Sequence, residues 1–595
     1  MSKSLVPTHL KTHIAAQLKE SITEASNTAY YVFAGKHTAY ANGSIPTPLD
    51  SYQELLYSAH QNMVFGKRVS DSDVSLLIPR IEWTTNTVYD AYDSNTAIFG
   101  TNFYVAVNAS SNYYIFKVLD NNSNAVSVDA PDINNVAAAP NSEFYSTNDG
   151  YVWKYMYNVS SDVWNKFATD NYMPVSANAE VTGNAVSGTI DVIRVVSGGS
   201  NYNAILNSQF TAAQLQVGGN SEFYELPASA SANDNFYTSS CIHIKSGAGG
   251  GQTRKIISYS GANRRIRIQS PFTTALSNTS VYEISPFIII DGDGTGAVAR
   301  GLVNTASSNS IYQIEIIDRG SDYTYASLTI GGNTGGVSNA AVLVPIFAPR
   351  GGHGSNSALE LGATAVGFGV SFANNESGNI PTTNDFRTIG VLRDPLYANV
   401  VLTIDTDVAN GYSGSFTVGG TVTQVNTLAT GVVANFTSNQ LQLGNVVGQF
   451  VGGKMVFQAN STANVGTANV ISRVINGVSK DFSTFDQRYT CVISDVSGSF
   501  ANDEVVFQFD NESVVSANAV LHTVNNTFLA VTNLRGVINP TERITGATSG
   551  ASANVTSVKN PDLVPYSGEV IYIENIDPVT RSNTQTEQIK IVLKF

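Results

Sequence analysis

The chain has 595 residues, too many for one hydrophobic core, so several domains are expected. Only 13% of residues are charged; polarity comes from Asn, Ser and Thr, and with 49 Gly and 28 Tyr this favours turn-rich β structure. The 42% hydrophobic content excludes a disordered chain, and the net charge of −14 excludes a protein that coats nucleic acid, which needs clustered Lys and Arg.

The first residues, Met1-Ser2-Lys3-Ser4-Leu5-Val6-Pro7, lack the apolar run of a signal peptide, and the apolar run around Phe287 to Ile290 is far shorter than a membrane span. Assembly in a reducing cytoplasm is expected, with no membrane insertion. Leu10, Ile14, Leu18 and Ile22 recur at four-residue spacing and predict a helix with Pro7 in its first turn. A second helix is predicted from Thr47 as cap, Pro48 at the first position and Asp50 in the first turn, with Tyr52, Leu55, Leu56, Ala59 and Met63 as its apolar face. Strands are predicted at Tyr30 to Gly35, Phe103 to Val107, Tyr113 to Val118 and Val152 to Val159. Up to about residue 180 the pattern is therefore α+β.

From residue 181 the helical period vanishes and an internal repeat appears. Ile190-Asp191-Val192-Ile193-Arg194-Val195-Val196-Ser197-Gly198-Gly199-Ser200-Asn201-Tyr202 matches Ile311-Tyr312-Gln313-Ile314-Glu315-Ile316-Ile317-Asp318-Arg319-Gly320-Ser321-Asp322-Tyr323. Each copy is an alternating strand ending in a Gly-Ser-polar-Tyr turn, where glycine supplies positive φ and the Tyr folds back over its strand. Residues 181–345 form one inserted β-domain on this reading, and 346–400 an irregular connection. A second repeat pair follows. Phe416 to Val422, Leu441 to Gly448 and Ser461 to Ala463 match Phe500 to Val506, Leu529 to Gly536 and Ser549 to Ala551. Two small sandwich- or barrel-like domains in tandem, 401–485 and 486–558, are the simplest account. At the C-terminus, Glu569 to Asn575 and Gln588 to Phe595 alternate as a hairpin would.

Motifs that carry chemistry are weak. Asp291-Gly292-Asp293-Gly294-Thr295-Gly296 has the first acids of a calcium loop but Leu302 where the bidentate Glu belongs, so a β-turn is expected. Gly247 to Thr253 lacks the Lys-Ser/Thr of a phosphate loop and reads as a mobile hairpin tip. Arg254, Lys255, Arg264, Arg265 and Arg267 read as the solvated face of a hairpin. His353, near Arg350 and Glu360, has no specified nucleophile and reads as a structural histidine in a glycine-rich loop. His9 and His13 share a helix face without the further ligands zinc needs. Cys241 and Cys491 each flank apolar strand residues and are expected as buried free thiols. No cofactor or metal is expected.

Four segments in order carry a resemblance: Ile78-Pro79-Arg80-Ile81-Glu82-Trp83, Asn148-Asp149-Gly150-Tyr151-Val152-Trp153-Lys154-Tyr155, Tyr566 to Asn575, and Gln585 to Phe595. Together they resemble the baseplate wedge subunit of contractile-tailed bacteriophages. The resemblance implies a mixed, mainly β fold, in which residues 1–180 and 559–595 build one α+β domain and the β-domains between them are insertions. It also implies a non-enzymatic structural protein of the virus tail, a homodimer within each wedge, and other wedge subunits as partners, with tail-fibre contacts through the insertions. Arg80, Glu82, Trp83, Trp153, Tyr572 and Glu574 are its candidate interface or structural residues, Arg and Trp being common interface anchors. A reading from another class remains beside it: a glycan-binding or depolymerase-like fibre or spike module in the Tyr- and Asn-rich centre.

Overall fold

A computed structural model describes residues 6–24, 28–47, 51–94, 100–132, 134, 144–215, 222–332, 339–382, 385–459, 464–510 and 514–595. Of the segments singled out above, residues 1–5, 48–50, 384 and 461–463 lie outside the described residues. Strands occupy 48% of the chain and helices 10%, so the fold is mixed and mainly β, with several sheets and barrels. The chain divides into two compact units, one of residues 1–13, 76–364 and 595, the other of 14–75 and 365–594.

The first helix is Thr8–Thr23. Of the predicted apolar stripe, Leu10 and Ile14 are 48% and 38% exposed while Leu18 and Ile22 are half-buried; the fully buried positions are Thr12 and Ala15. The second helix, Tyr52–Asn62, starts after the expected Thr47 cap. Ser51 is its N-cap and makes no side-chain bond there. Met63 does not extend the helix but opens the next strand, Met63–Arg68.

In the 76–364 unit, an antiparallel sheet takes the order Tyr104–Ala109, Asn112–Asp120, Val152–Ser160, Phe144–Ser146. Side chains alternate across it. Phe116, Val118 and Trp153 point into one small core, while Ile115, Leu119, Met156 and Tyr157 point into another. A larger sheet is organised around the long strand Val281–Gly292, on which Ser240–Ser246, Val298–Asn304, Ile205–Gln209 and Ala326–Ile330 all pair.

The repeated segments become the strands Ile190–Ser197 and Ser310–Asp318, followed by identical turns. Gly199 and Gly320 have φ of 60° and 62°, and Asn201 and Asp322 have 65° and 64°. The copies also cap one another reciprocally. Ile190 N–H donates to Arg319 O at 3.0 Å and Ile311 N–H to Gly198 O at 2.8 Å. Tyr202 N–H donates to Asn309 O and Tyr323 N–H to Gly188 O, both at 3.0 Å. Ile190, Ile193 and Tyr202 then share one core with their counterparts Ile311, Ile314 and Tyr323.

In the other unit, a five-stranded sheet has the order Thr484–Asp486, Met63–Arg68, Tyr30–Gly35, Asp385–Arg393, Glu569–Thr580. The strand Thr586–Lys594 pairs along Ala365–Ala373 instead. The two C-terminal strands therefore do not form the expected hairpin; each runs along a strand of segment 346–400, which is not an irregular connection. Phe65 meets Phe372 and Phe386 edge-on at 5.3 and 6.0 Å, and Arg581, 2% exposed, lies over Phe65 and Phe372. Its guanidinium pairs with Glu587 at 2.7 Å and donates to the carbonyls of Pro381 and Phe372.

Two six-stranded rings complete this unit. One runs Val400–Ile404, Gln440–Val447, Thr430–Thr437, Thr421–Gln424, Met455–Ala459, Asn464–Ile475, closed by pairing of the last strand with the first. The other runs Tyr489–Ser497, Phe528–Gly536, Val515–Val524, Val505–Phe509, Arg543–Gly546, Ser552–Lys559, and closes likewise. Strand order is the same in both. Each ring carries a fully buried Gln at the same place. Gln424 accepts from Val451 N–H and donates to its carbonyl, both at 2.8 Å; Gln508 does the same with Asn539 at 2.8 and 3.1 Å.

Candidate functional site

Arg80, Glu82 and Trp83 follow the strand Val74–Pro79. The Arg80 guanidinium pairs with Glu82 at 2.6 Å, donates to Thr169 O at 2.9 Å and lies 5.3 Å from the centre of the Trp164 ring. Glu82 remains 46% exposed at its side chain. Trp83 donates to Ser127 Oγ at 3.1 Å and packs against the core that holds Trp153. Trp153 is fully buried, stacked on Tyr151 at 5.3 Å, with its N–H on Thr147 Oγ1. It is a core residue with no surface to offer a partner, whereas Glu82 and the rim of Trp83 are accessible.

Tyr572 and Glu574 stand on Glu569–Thr580, the last strand of the five-stranded sheet. The Tyr572 hydroxyl donates to Glu574 at 2.6 Å. Partial burial, then the adjacent carboxylate, pushes this phenol above its ordinary pKa, so it stays a donor. A register shift beside Tyr572 breaks the alternation of this strand. Val570 and Ile573 both turn to the core, and Ile571 is left 37% exposed next to Tyr572 and Glu574. One side of the strand pairs with Asp385–Arg393; among the described residues no strand pairs with the other. Ile571, Tyr572 and Glu574 thus place an aliphatic, an aromatic and a carboxylate side chain on the outer part of this strand.

The motifs with chemical overtones have structural partners. Asp293 accepts from Thr324 N–H at 2.8 Å and Tyr325 N–H at 3.2 Å, so it holds a turn. Gln252 ties its hairpin tip to Thr273, Thr274 and Gly249, which fixes a loop read above as mobile. Arg254 and Arg267 belong to the strands Thr253–Ser260 and Arg265–Ile268, paired as a hairpin. Cys241 and Cys491 are free and buried; burial pushes the thiols up, to about 11 and about 12, which leaves them unreactive.

His353 belongs to a buried charge cluster that the sequence did not reveal. Its Nδ1 lies 2.7 Å from Glu360 and its Nε2 3.1 Å from Asp191. Glu360 also pairs with Lys117 and accepts from Gly354 N–H at 2.7 Å. The four side chains are at most 4% exposed. Lys117 sits 3.6 Å from the centre of the Tyr92 ring. Burial pulls the Lys117 ammonium down to about 8. For Glu360, burial is outweighed by Lys117 and His353, which hold the carboxyl down to about 2. The two carboxylates face Lys117, both ring nitrogens of His353, and Arg319, the last 3.6 Å from Asp191. The arrangement ties the loop 349–360 to the strands Asn112–Asp120 and Ile190–Ser197.

No family model matches this chain, and no curated protein matches it either.

Proposed function

We propose that this chain is a structural, non-enzymatic subunit of a contractile phage tail, at the baseplate wedge. The observation that carries this reading is the ordered set of four motifs around Arg80–Trp83, Trp153, Tyr572 and Phe595, which resembles the wedge subunit. Supporting it, the strand Glu569–Thr580 has one edge on which no strand pairs among the described residues, an arrangement suited to strand addition by a neighbour. The surface around Glu82 and Trp83 is of the kind found at interface anchors. A wedge part must hold its neighbours during assembly and let them repack when the baseplate opens, which needs rigid bodies joined at interfaces with two packings. Closed rings and ion-paired cores suit such a body. On this reading the protein is a homodimer within a wedge, resident in the virion after assembly in the host cytoplasm, and its inserted β-domains meet fibres.

Native mass spectrometry of the chain, alone and with the products of its neighbouring genes, tests this. A dimer that joins those products into a defined complex supports the wedge reading. A monomer or closed homotrimer that ignores them overturns it. A glycan-binding role for the Tyr- and Asn-rich centre, residues 181–558, then comes forward.

A further inference from the structure

We propose that Lys480 and Asp562 condense into an intramolecular amide, a covalent clasp at the foot of the second ring. The two side chains form an ion pair with Lys480 Nζ directly on Asp562 Oδ2. They are 5% and 1% exposed, so water is nearly absent. Buried apolar side chains stand close to both in the chain, Phe482 two residues after Lys480 and Leu563 next to Asp562.

Three features favour condensation here. The first is protonation. An ion pair and a neutral amine–carboxylic acid pair contain the same number of protons, and burial favours the neutral form because it removes two charges from low dielectric. Burial raises the Asp562 carboxyl, with the nearby Asp486 carboxylate adding to it against the pull of Lys480. The second is electrophilic help. The Asp486 backbone N–H donates to Asp562 Oδ2 at 2.7 Å, where negative charge gathers as the carbonyl carbon becomes tetrahedral. The third is proximity, since the reacting groups are held in contact by flanking β structure rather than meeting by diffusion. Lys117 and Glu360 provide the contrast: Lys117 and His353 pull that carboxyl down and keep it ionised, and an ionised carboxylate is not an electrophile.

The step balances without a co-reactant. A proton passes within the pair from Nζ to the Asp562 carboxyl, and Nζ then adds its lone pair to Cγ, forming a C–N bond. The Cγ–Oδ1 bond breaks, and Oδ1 leaves as water carrying the acid's proton and one from Nζ. Nothing is oxidised or reduced. The product closes a loop over a sequence separation of 82, which contains every strand of the second ring from Tyr489 to Lys559. A body fixed this way cannot be pulled open from its two chain connections, whatever its role.

Intact mass spectrometry of the purified full chain reads the outcome directly. We expect a single species lighter than the sequence mass by one water, and after proteolysis a branched peptide joining Lys480 to Asp562. Lys480→Arg keeps the charge but blocks the amide, and should return the full mass. A wild-type chain of full mass with separate Lys480 and Asp562 peptides overturns the proposal. So does a one-water deficit in which the Lys480 peptide is free, because that places the dehydration elsewhere.

Discussion

The side chain of Glu504 fills the space that a Cβ at Gly546 would need, 2.5 Å from its Oε1. The first ring holds the mirror arrangement. There Gly420 stands where Glu504 does, each carbonyl accepting from the next strand (Val433 and Leu521 N–H, both 2.9 Å), and Gln458 stands where Gly546 does, opposite Val422 and Val506 respectively. Gln458 grips Thr417 N–H and O at 2.6 and 2.9 Å; Glu504 grips Ala501, Thr548 and Ser549 N–H at 2.7 to 3.0 Å. One latch closes both rings, supplied from opposite strands, and the position facing it must be glycine.

This reciprocity gives a double-mutant test. Gly546→Gln alone should destabilise the second ring by about 1–3 kcal/mol through overpacking. Adding Glu504→Gly should recover a substantial part of that loss by converting the ring to the first ring's arrangement. Denaturant unfolding of the two single variants and the double variant measures the coupling; strict additivity would show that the pair does not communicate.

The buried glutamines should matter equally in the two rings. Gln424→Leu and Gln508→Leu each remove the two hydrogen bonds that hold the backbone N–H and C=O of Val451 or Asn539. Each should cost about 1 kcal/mol. Hydrogen exchange at those amides should rise in the matching ring only.

Acid should loosen the charge cluster around His353. The Glu360 carboxyl is held down to about 2 in the folded chain, below its unfolded value of about 4.3. Its contribution is therefore complete above the unfolded value and is lost as pH falls from there through about 2. Unfolding followed between neutral and strongly acidic pH should show this slope, and Glu360→Gln should flatten it. Lys117→Met leaves the carboxylates uncompensated and should cost about 3–5 kcal/mol at neutral pH.

The Gly-Ser-polar-Tyr turns admit no side chain at the glycine before the serine. A Cβ at Gly199 would lie 2.6 Å from Ala341 N, and one at Gly320 2.3 Å from Thr295 O, both at positive φ. Gly199→Ala and Gly320→Ala should each lower stability by about 1–3 kcal/mol, and by similar amounts, because the two turns have the same conformation. Thermal melts of both variants check the equality.

On the wedge reading, Tyr572→Ala with Glu574→Lys should weaken complex formation while leaving the melting temperature of the free chain near its original value. Co-purification with the neighbouring gene products measures it. Retained binding would move the contact surface away from this strand.

Local pattern was legible wherever alternation or turn chemistry spoke for itself. Tyr30 to Gly35 was readable residue for residue as a strand, and the repeat at Ile190 and Ile311 was visible because its glycines and tyrosines serve the same turn. Partner choice was not legible. Glu569 to Thr580 and Thr586 to Lys594 alternate as a hairpin would, but pairing depends on strands from 346–400 whose Gly and Asp obscured them. Lys117 stands within an apolar strand, and its partner Glu360 is too distant in sequence for local pattern to reveal the pair. Trp153 carried a motif suggestive of an interface yet is buried, since a sequence motif marks a constrained residue without saying on which side of the surface it lies.

The place of Tyr30–Gly35 between Met63–Arg68 and Asp385–Arg393 has a consequence for synthesis. One edge of this strand finds its neighbour at once. The other stays bare while the ribosome makes residues 36–384, and the sheet is finished only when Glu569–Thr580 emerges. The nascent chain thus carries an apolar, unpaired strand through most of its elongation, a stage at which chaperone cover or slow, high-contact-order closure decides the yield of folded protein.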